Sequence, residues 1–255
     1  MAQEKEFLWD DRAPSFRLLA DGAKLVAKRY GIETDETTYH RWSDAGGLIR
    51  ELDTLHDDFG VSAEEIIERL QGYEEFRDLY PHLAPENLEP EKRDMLFGIA
   101  RNIFHIGARA ALMTDKQEFA EARLEEGEVT AHLATDIATD EMLAHPNYES
   151  QFVPAMENFT VGGVFFDSLL DGFIDYRRGK TMVKPDWEYY NTLRNVGRTG
   201  MRSALGLMAH PAFSVLILNM AQKRIRTRFQ NGMTSYSSIQ NVPDFFRHNI
   251  RHKNE

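Results

Sequence analysis

Residues 159–180 read FTVGGVFFDSLLDGFIDYRRGK, and this stretch decides the fold. Its apolar residues recur at intervals of three and four, the spacing of one face of an α-helix, without the strict alternation of a half-buried strand. Phe159, Phe166 and Phe173 stand seven apart and form an aromatic stripe, for which core packing is the plain explanation. Asp167, Asp171 and Asp175 stand four apart, so they share a second stripe with roughly 6 Å of rise between successive carboxylates. Three like charges on a largely apolar helix repel one another and resist burial unless a cation compensates them. A divalent metal is one such cation; an exposed face paired with neighbouring Arg and Lys is the other reading.

The same periodicity extends along the chain. It predicts helices at about 14–30, 37–58, 62–72, 90–113, 116–143, 151–179, 186–208 and 212–230. Between them stand Pro81, Pro85 and Pro90, His145-Pro146-Asn147, Lys184-Pro185 and His210-Pro211, which are ordinary helix punctuation. Nothing reads as an interdomain linker or an internal repeat. The expectation is an all-α fold, one helical domain over residues 1–255, long enough to bury a sizeable core.

Composition removes several classes. The chain has no cysteine, which excludes disulfides and thiolate metal sites. Thirty Lys and Arg against 41 Asp and Glu leave a net charge of −11, which argues against general nucleic-acid binding. The start MAQEKEFLWDD lacks the basic and apolar pattern of a secretion signal, so a cytoplasmic location is expected. No transmembrane segment is expected either, because the longest strongly apolar run, Ala212 to Ala221, is about half of what a span needs. Residues 221–255 hold seven Lys and Arg against two acids. That basic part is a candidate for contact with an anionic ligand or a membrane surface, although a solvated face explains it as well.

The aspartates are more ordered than chance. With 18 Asp in the chain, random placement gives about 1.2 pairs of the form D-x-x-x-D and about 0.09 triplets. The sequence has four pairs, Asp53/Asp57, Asp136/Asp140, Asp167/Asp171 and Asp171/Asp175, the last two joined into the triplet. A second acidic segment, LIRELDTLHDDFG at 48–60, sets Asp53 and Asp57 on one helix face, adds Asp58, and places Arg50 nearly one turn earlier. Taken alone it also reads as an acidic, solvated helix end stopped by Gly60.

This second segment resembles the aspartate-rich motif of squalene and phytoene synthases, L-R-x-x-D-T-x-x-D-D, through Arg50, Asp53, Thr54, Asp57 and Asp58. The stretch at 167–180 resembles the same family's later motif, N-x-x-x-D-x-x-x-D followed by a basic, Gly-containing run, with Asp167 in place of the Asn. The two stand 114 residues apart, in the family's order. The resemblance implies a bundle of the class I isoprenoid synthase type around a central apolar cavity, with the acidic stripes facing each other across its mouth. It implies Mg²⁺ held by Asp53, Asp57, Asp171 and Asp175, with Asp58 and Asp167 completing the set. It further implies a prenyl diphosphate substrate, ionised and directed to a cyclised or coupled terpenoid product. Arg50, Arg177, Arg178, Lys180 and Arg198 are then candidates for binding the diphosphate. Arg194, Arg198 and Arg202 recur every four residues as a cationic stripe, with Lys223, Arg224, Arg226 and Arg228 a weaker option. Gly163 and Gly46 could leave room for an isoprenoid tail. Cyclisation and head-to-head coupling both stay open, since a chain without cysteine lacks the family's Y-C-x-x-V-A-G stretch. A homodimer is also open.

Two other classes compete. His40 and the adjacent His56-Asp57 could serve a metal-dependent phosphohydrolase of the all-α HD type. A non-catalytic protein could instead keep the isoprenoid fold and only bind a ligand.

Overall fold

The computed structural model describes residues 18–59 and 80–208, with positions 62 and 65 between them. All regular structure among these residues is helical, and none is strand. Helix α1 covers 18–29, α2 Glu36–Phe59, α3 Pro90–Leu112, α4 Lys116–Thr135, α5 Asp140–Leu143, α6 Val153–Arg177, α7 Trp187–Val196 and α8 Arg198–Met208. The expected helix at 62–72, apart from positions 62 and 65, the expected helix at 212–230 and the basic region 221–255 lie outside the described residues.

Local chemistry accounts for most boundaries. Asp35 caps α2, its carboxylate accepting from the Thr38 N–H at 2.6 Å and from the hydroxyls of Thr38 and Thr139. Asp115 caps α4 through the N–H groups of Gln117 and Glu118, and Asp186 caps α7 through that of Tyr189. Pro90 and Pro154 occupy first turns, where no helical N–H is lost. Helix α6 ends at Gly179, whose φ of +72° and the flanking bonds Gly179 N to Tyr176 O and Lys180 N to Asp175 O form a left-handed stop. That stop carries the Arg177, Arg178 and Lys180 cluster.

Two expected helices are each broken in two. The stretch predicted as 116–143 stops at Thr135 and restarts at Asp140. In the gap, the carbonyls of Ile137 and Ala138 accept from Arg41 and Lys92, distant donors that periodicity cannot reveal. Asp136 and Asp140 are thereby parted; Asp136 meets His132, and Asp140 meets Lys92. The stretch predicted as 186–208 breaks at Gly197, which is tucked against Phe165. Arg194 therefore sits on α7 while Arg198 and Arg202 sit on α8, so the three-Arg stripe does not lie on one helix.

Among the described residues the core forms two clusters. The first gathers Ala23, Val26, Trp42, Leu48, Leu96, Phe97, Leu133 and Phe152 from α1, α2, the first half of α3, the last half of α4 and the turn before α6. The second gathers Ile106, Phe119, Val161, Phe165, Tyr189 and Met201. Helices α3, α4 and α6 contribute to both clusters, so they run the length of the bundle, while α1 and α2 close one end and α7 and α8 the other. The α4–α6 seam is close at Gly127, where a Cβ would lie 2.5 Å from the Val161 Cα. No helix among the described residues is long and apolar enough to cross a membrane.

Candidate functional site

Helix α6 is held by its buried side. Tyr189 donates its hydroxyl hydrogen to the Ser168 carbonyl at 3.0 Å, and its ring packs where Gly172 has no side chain. From α4, Arg123 donates Nε–H to Ser168 Oγ at 2.9 Å and pairs with Glu126 through Nη1 at 2.5 Å. These contacts fix the rotation of α6 and hence the direction of its acidic stripe.

The stripe is graded in exposure. Asp171 is only 8% exposed, while Asp167 and Asp175 are half-buried. Arg123 is the cation the sequence reading left unassigned. Burial works against its charge, yet the carboxylates of Glu126, Asp167 and Asp175, with Tyr189 between them in weight, more than offset this and push its pKa up. It therefore stays protonated beside the stripe. Its position was readable in principle, because Arg123 falls in phase with Gly127 and Ala131 on the inward face of α4.

Beside the acidic stripe runs an apolar one. Phe159 is buried, and a Cβ on Gly22 of α1 would overlap its ring. The same face then leaves the core: Phe166 is half-buried, Leu170 is 64% exposed and Phe173 52% exposed. The aromatic stripe is thus core at its start and open at its end. Gly163 is exposed, and among the described residues nothing lies within 4 Å of where a Cβ would stand.

At the end of α6, the Arg177 guanidinium lies over the Phe173 ring at 5.0 Å. Arg178 is exposed and Lys180 half-buried around the Gly179 stop. Arg198 and Arg202 are exposed on α8, which meets α6 through Gly200 at Val161. Arg50 is exposed on α2. Asp53, Asp57 and Asp58 belong to the last turns of α2, but their side chains, like that of His56, lie outside the described part. The structure thus sets Asp167 and Asp175 within the field of Arg123, with Asp171 between them on the same stripe. Among the described residues no three His, Asp or Glu side chains converge on one point as metal ligands.

A second polar cluster joins α2 to the short turn Pro81–Leu83. Asp44, 5% exposed, accepts from the His82 backbone N–H at 2.9 Å and lies 3.1 Å from His82 Nδ1. The His40 ring stacks on that of His82 at 4.6 Å. Burial pushes the Asp44 pKa up, against the opposing pull of the His82 N–H and the two imidazoles. His40 therefore has partners that the sequence did not announce, although Asp44 shares the inward phase of Ala45 and Leu48.

No family model matches this sequence, no curated protein is similar to it, and no solved structure matches its fold.

Proposed function

We propose that the protein is a Mg²⁺-dependent class I isoprenoid synthase, which ionises a prenyl diphosphate and directs the carbocation to a cyclised or coupled product. The observation that carries this reading is the pairing of two stripes on α6, acidic Asp167, Asp171 and Asp175 beside open, apolar Phe166, Leu170 and Phe173. A diphosphate bearing a hydrocarbon tail has that same division between a charged head and an apolar chain.

The donor chemistry fits the metal. Carboxylate oxygens are what a hard divalent cation prefers. Asp167, Asp171 and Asp175 would hold Mg²⁺ together with Asp53, Asp57 and Asp58. When bound, the metal supplies Lewis-acid stabilisation of the departing diphosphate.

The chain's own residues do the rest. Arg177, Arg178 and Lys180 bind the leaving group at the end of α6, with Arg50 and Arg198 as further cations. Arg123 sets the charge and direction of the stripe from behind. Phe166, Leu170 and Phe173 offer the hydrocarbon tail an apolar face, and the aromatic faces stabilise positive charge.

The test is Mg²⁺-dependent diphosphate release from geranyl, farnesyl and geranylgeranyl diphosphates, with mass spectrometry of the organic extract. Asp171→Asn and Asp53→Asn should each abolish release while leaving the helical circular dichroism unchanged. Full turnover in both variants would sink the assignment.

The Asp44, His82 and His40 cluster favours one second reading, a phosphohydrolase. A buried carboxylate against Nδ1 orients an imidazole for acid–base or ligand work. No release from any prenyl diphosphate, together with phosphate-ester hydrolysis lost in His40→Gln and His82→Gln, would select it. Ligand binding without turnover of either kind would mark a non-catalytic binding protein.

A further inference from the structure

We infer that the end of the bundle formed by the last turn of α3, the 178–186 connection and the start of α7 docks on an anionic lipid surface. Three large apolar side chains are displayed there: Trp187 is 79% exposed, Leu112 75% and Met182 57%. They are neighbours in space. The Met182 N–H donates to the Ala111 carbonyl at 3.3 Å, and Lys116 bonds both Asp186 and Glu188, the residues flanking Trp187.

The display is built. Thr181 and Val183 are buried, and the Val183 N–H is satisfied by the Thr181 hydroxyl at 3.2 Å. Their alternation turns Met182 and Lys184 outward. Apolar side chains fixed in water by a pinned connection add nothing to the fold, and a partner that removes them from water gains by covering them.

Charge selects the partner. Residues 177–184 hold Arg177, Arg178, Lys180 and Lys184 and no acid, in a chain whose net charge is −11. The two acids that follow are engaged: Lys116 pairs with both Asp186 and Glu188 and offsets one of their two charges, and Asp186 also caps α7. Basic residues interleaved with Met and Trp match the bilayer interface, where indole and aliphatic groups enter the headgroup layer and Lys and Arg meet anionic lipid. Each such cation strengthens binding about fivefold at an anionic surface. This inference shares Arg177, Arg178 and Lys180 with the proposed diphosphate site, but its test uses no substrate and its variants leave those three residues in place.

The full chain is floated with vesicles of phosphatidylcholine alone and of phosphatidylcholine with phosphatidylglycerol. The expected result is flotation with the anionic vesicles, suppressed by salt, with a blue shift of tryptophan emission that Trp187→Phe removes. A triple variant, Leu112→Ser, Met182→Ser and Trp187→Ser, should lower partitioning by roughly tenfold or more with unchanged circular dichroism. Lys184→Glu, one exposed change, should lower it several-fold and keeps the test decisive if the triple variant misfolds. Equal flotation of wild type and both variants would overturn the inference, as would no flotation of the wild type. A wild-type dimer that the triple variant dissociates, with flotation unaffected, would also overturn it and assign the patch to self-association.

Discussion

Arg123 is the residue on which the acidic stripe depends. It reaches Ser168 and Glu126 directly and Asp167 and Asp175 through the field, from a side chain that is mostly buried. Removing one partner of a buried charge pair leaves the others uncompensated, which is more damaging than the pair itself is stabilising. Arg123→Met should therefore destabilise the protein by about 2–4 kcal/mol. If the stripe also takes a divalent cation, added Mg²⁺ should raise the melting temperature of this variant more than that of wild type. Thermal unfolding with and without Mg²⁺ decides the matter; a variant as stable as wild type would show that Arg123 is not what compensates the stripe. The aspartates announced themselves by spacing, whereas Arg123 did not, because one Arg beside two Glu looks like a surface charge until its phase with Gly127 is noticed.

At the scale of elements, caps and seams carry opposite lessons. Asp35 fastens both the start of α2 and Thr139 across the chain, so Asp35→Ala should cost about 1 kcal/mol and Asp35→Asn less. Burial alone would raise the Asp35 pKa, but the Thr38 N–H and the Thr139 and Thr38 hydroxyls together bring it below the ordinary 3.8. A carboxylate with a lowered folded-state pKa stabilises fully above its unfolded value and ceases to as pH falls through the folded one. Denaturation of wild type and Asp35→Ala should thus converge at acid pH below about 3.8 and differ above it. Glycines divide the same way. Gly107→Ala has nothing within 4 Å of the new methyl and should stabilise α3 by about 0.5–1 kcal/mol. Gly127→Ala gains the same propensity but drives a methyl to 2.5 Å from the Val161 backbone, so it should destabilise by about 1–3 kcal/mol. Urea midpoints of the two variants should move in opposite directions. Periodicity located α2, α3 and α6 to within a few residues, because their inward faces are regular. It missed the breaks at 136–139 and Gly197, where Arg41, Lys92 and Phe165 from elsewhere in the chain decide the path.

For the whole molecule, the helical class seen in the described residues was legible because long alternating runs are hard to find in the sequence, but the division of the core was not. Each of α3, α4 and α6 gives one part to each cluster, and only the bundle shows which part meets which end. This arrangement has a consequence for cooperativity. If either end opened alone, half of each spanning helix would lose its cover, and a helix of about three turns without tertiary packing is marginal in water. The two clusters should therefore unfold together, as one domain. Trp42, fully buried in the first cluster, reports on that end once Trp9 and Trp187 are replaced by Phe. Phe165→Ala, placed in this background, empties a fully buried site in the second cluster and should cost about 3–5 kcal/mol. The Trp42 transition in urea should then shift by the same free energy as the far-ultraviolet circular dichroism, with the slope unchanged. A Trp42 transition that stays in place while the circular dichroism splits would mean that the two ends are separate folding units, joined by helices that can be cut in half.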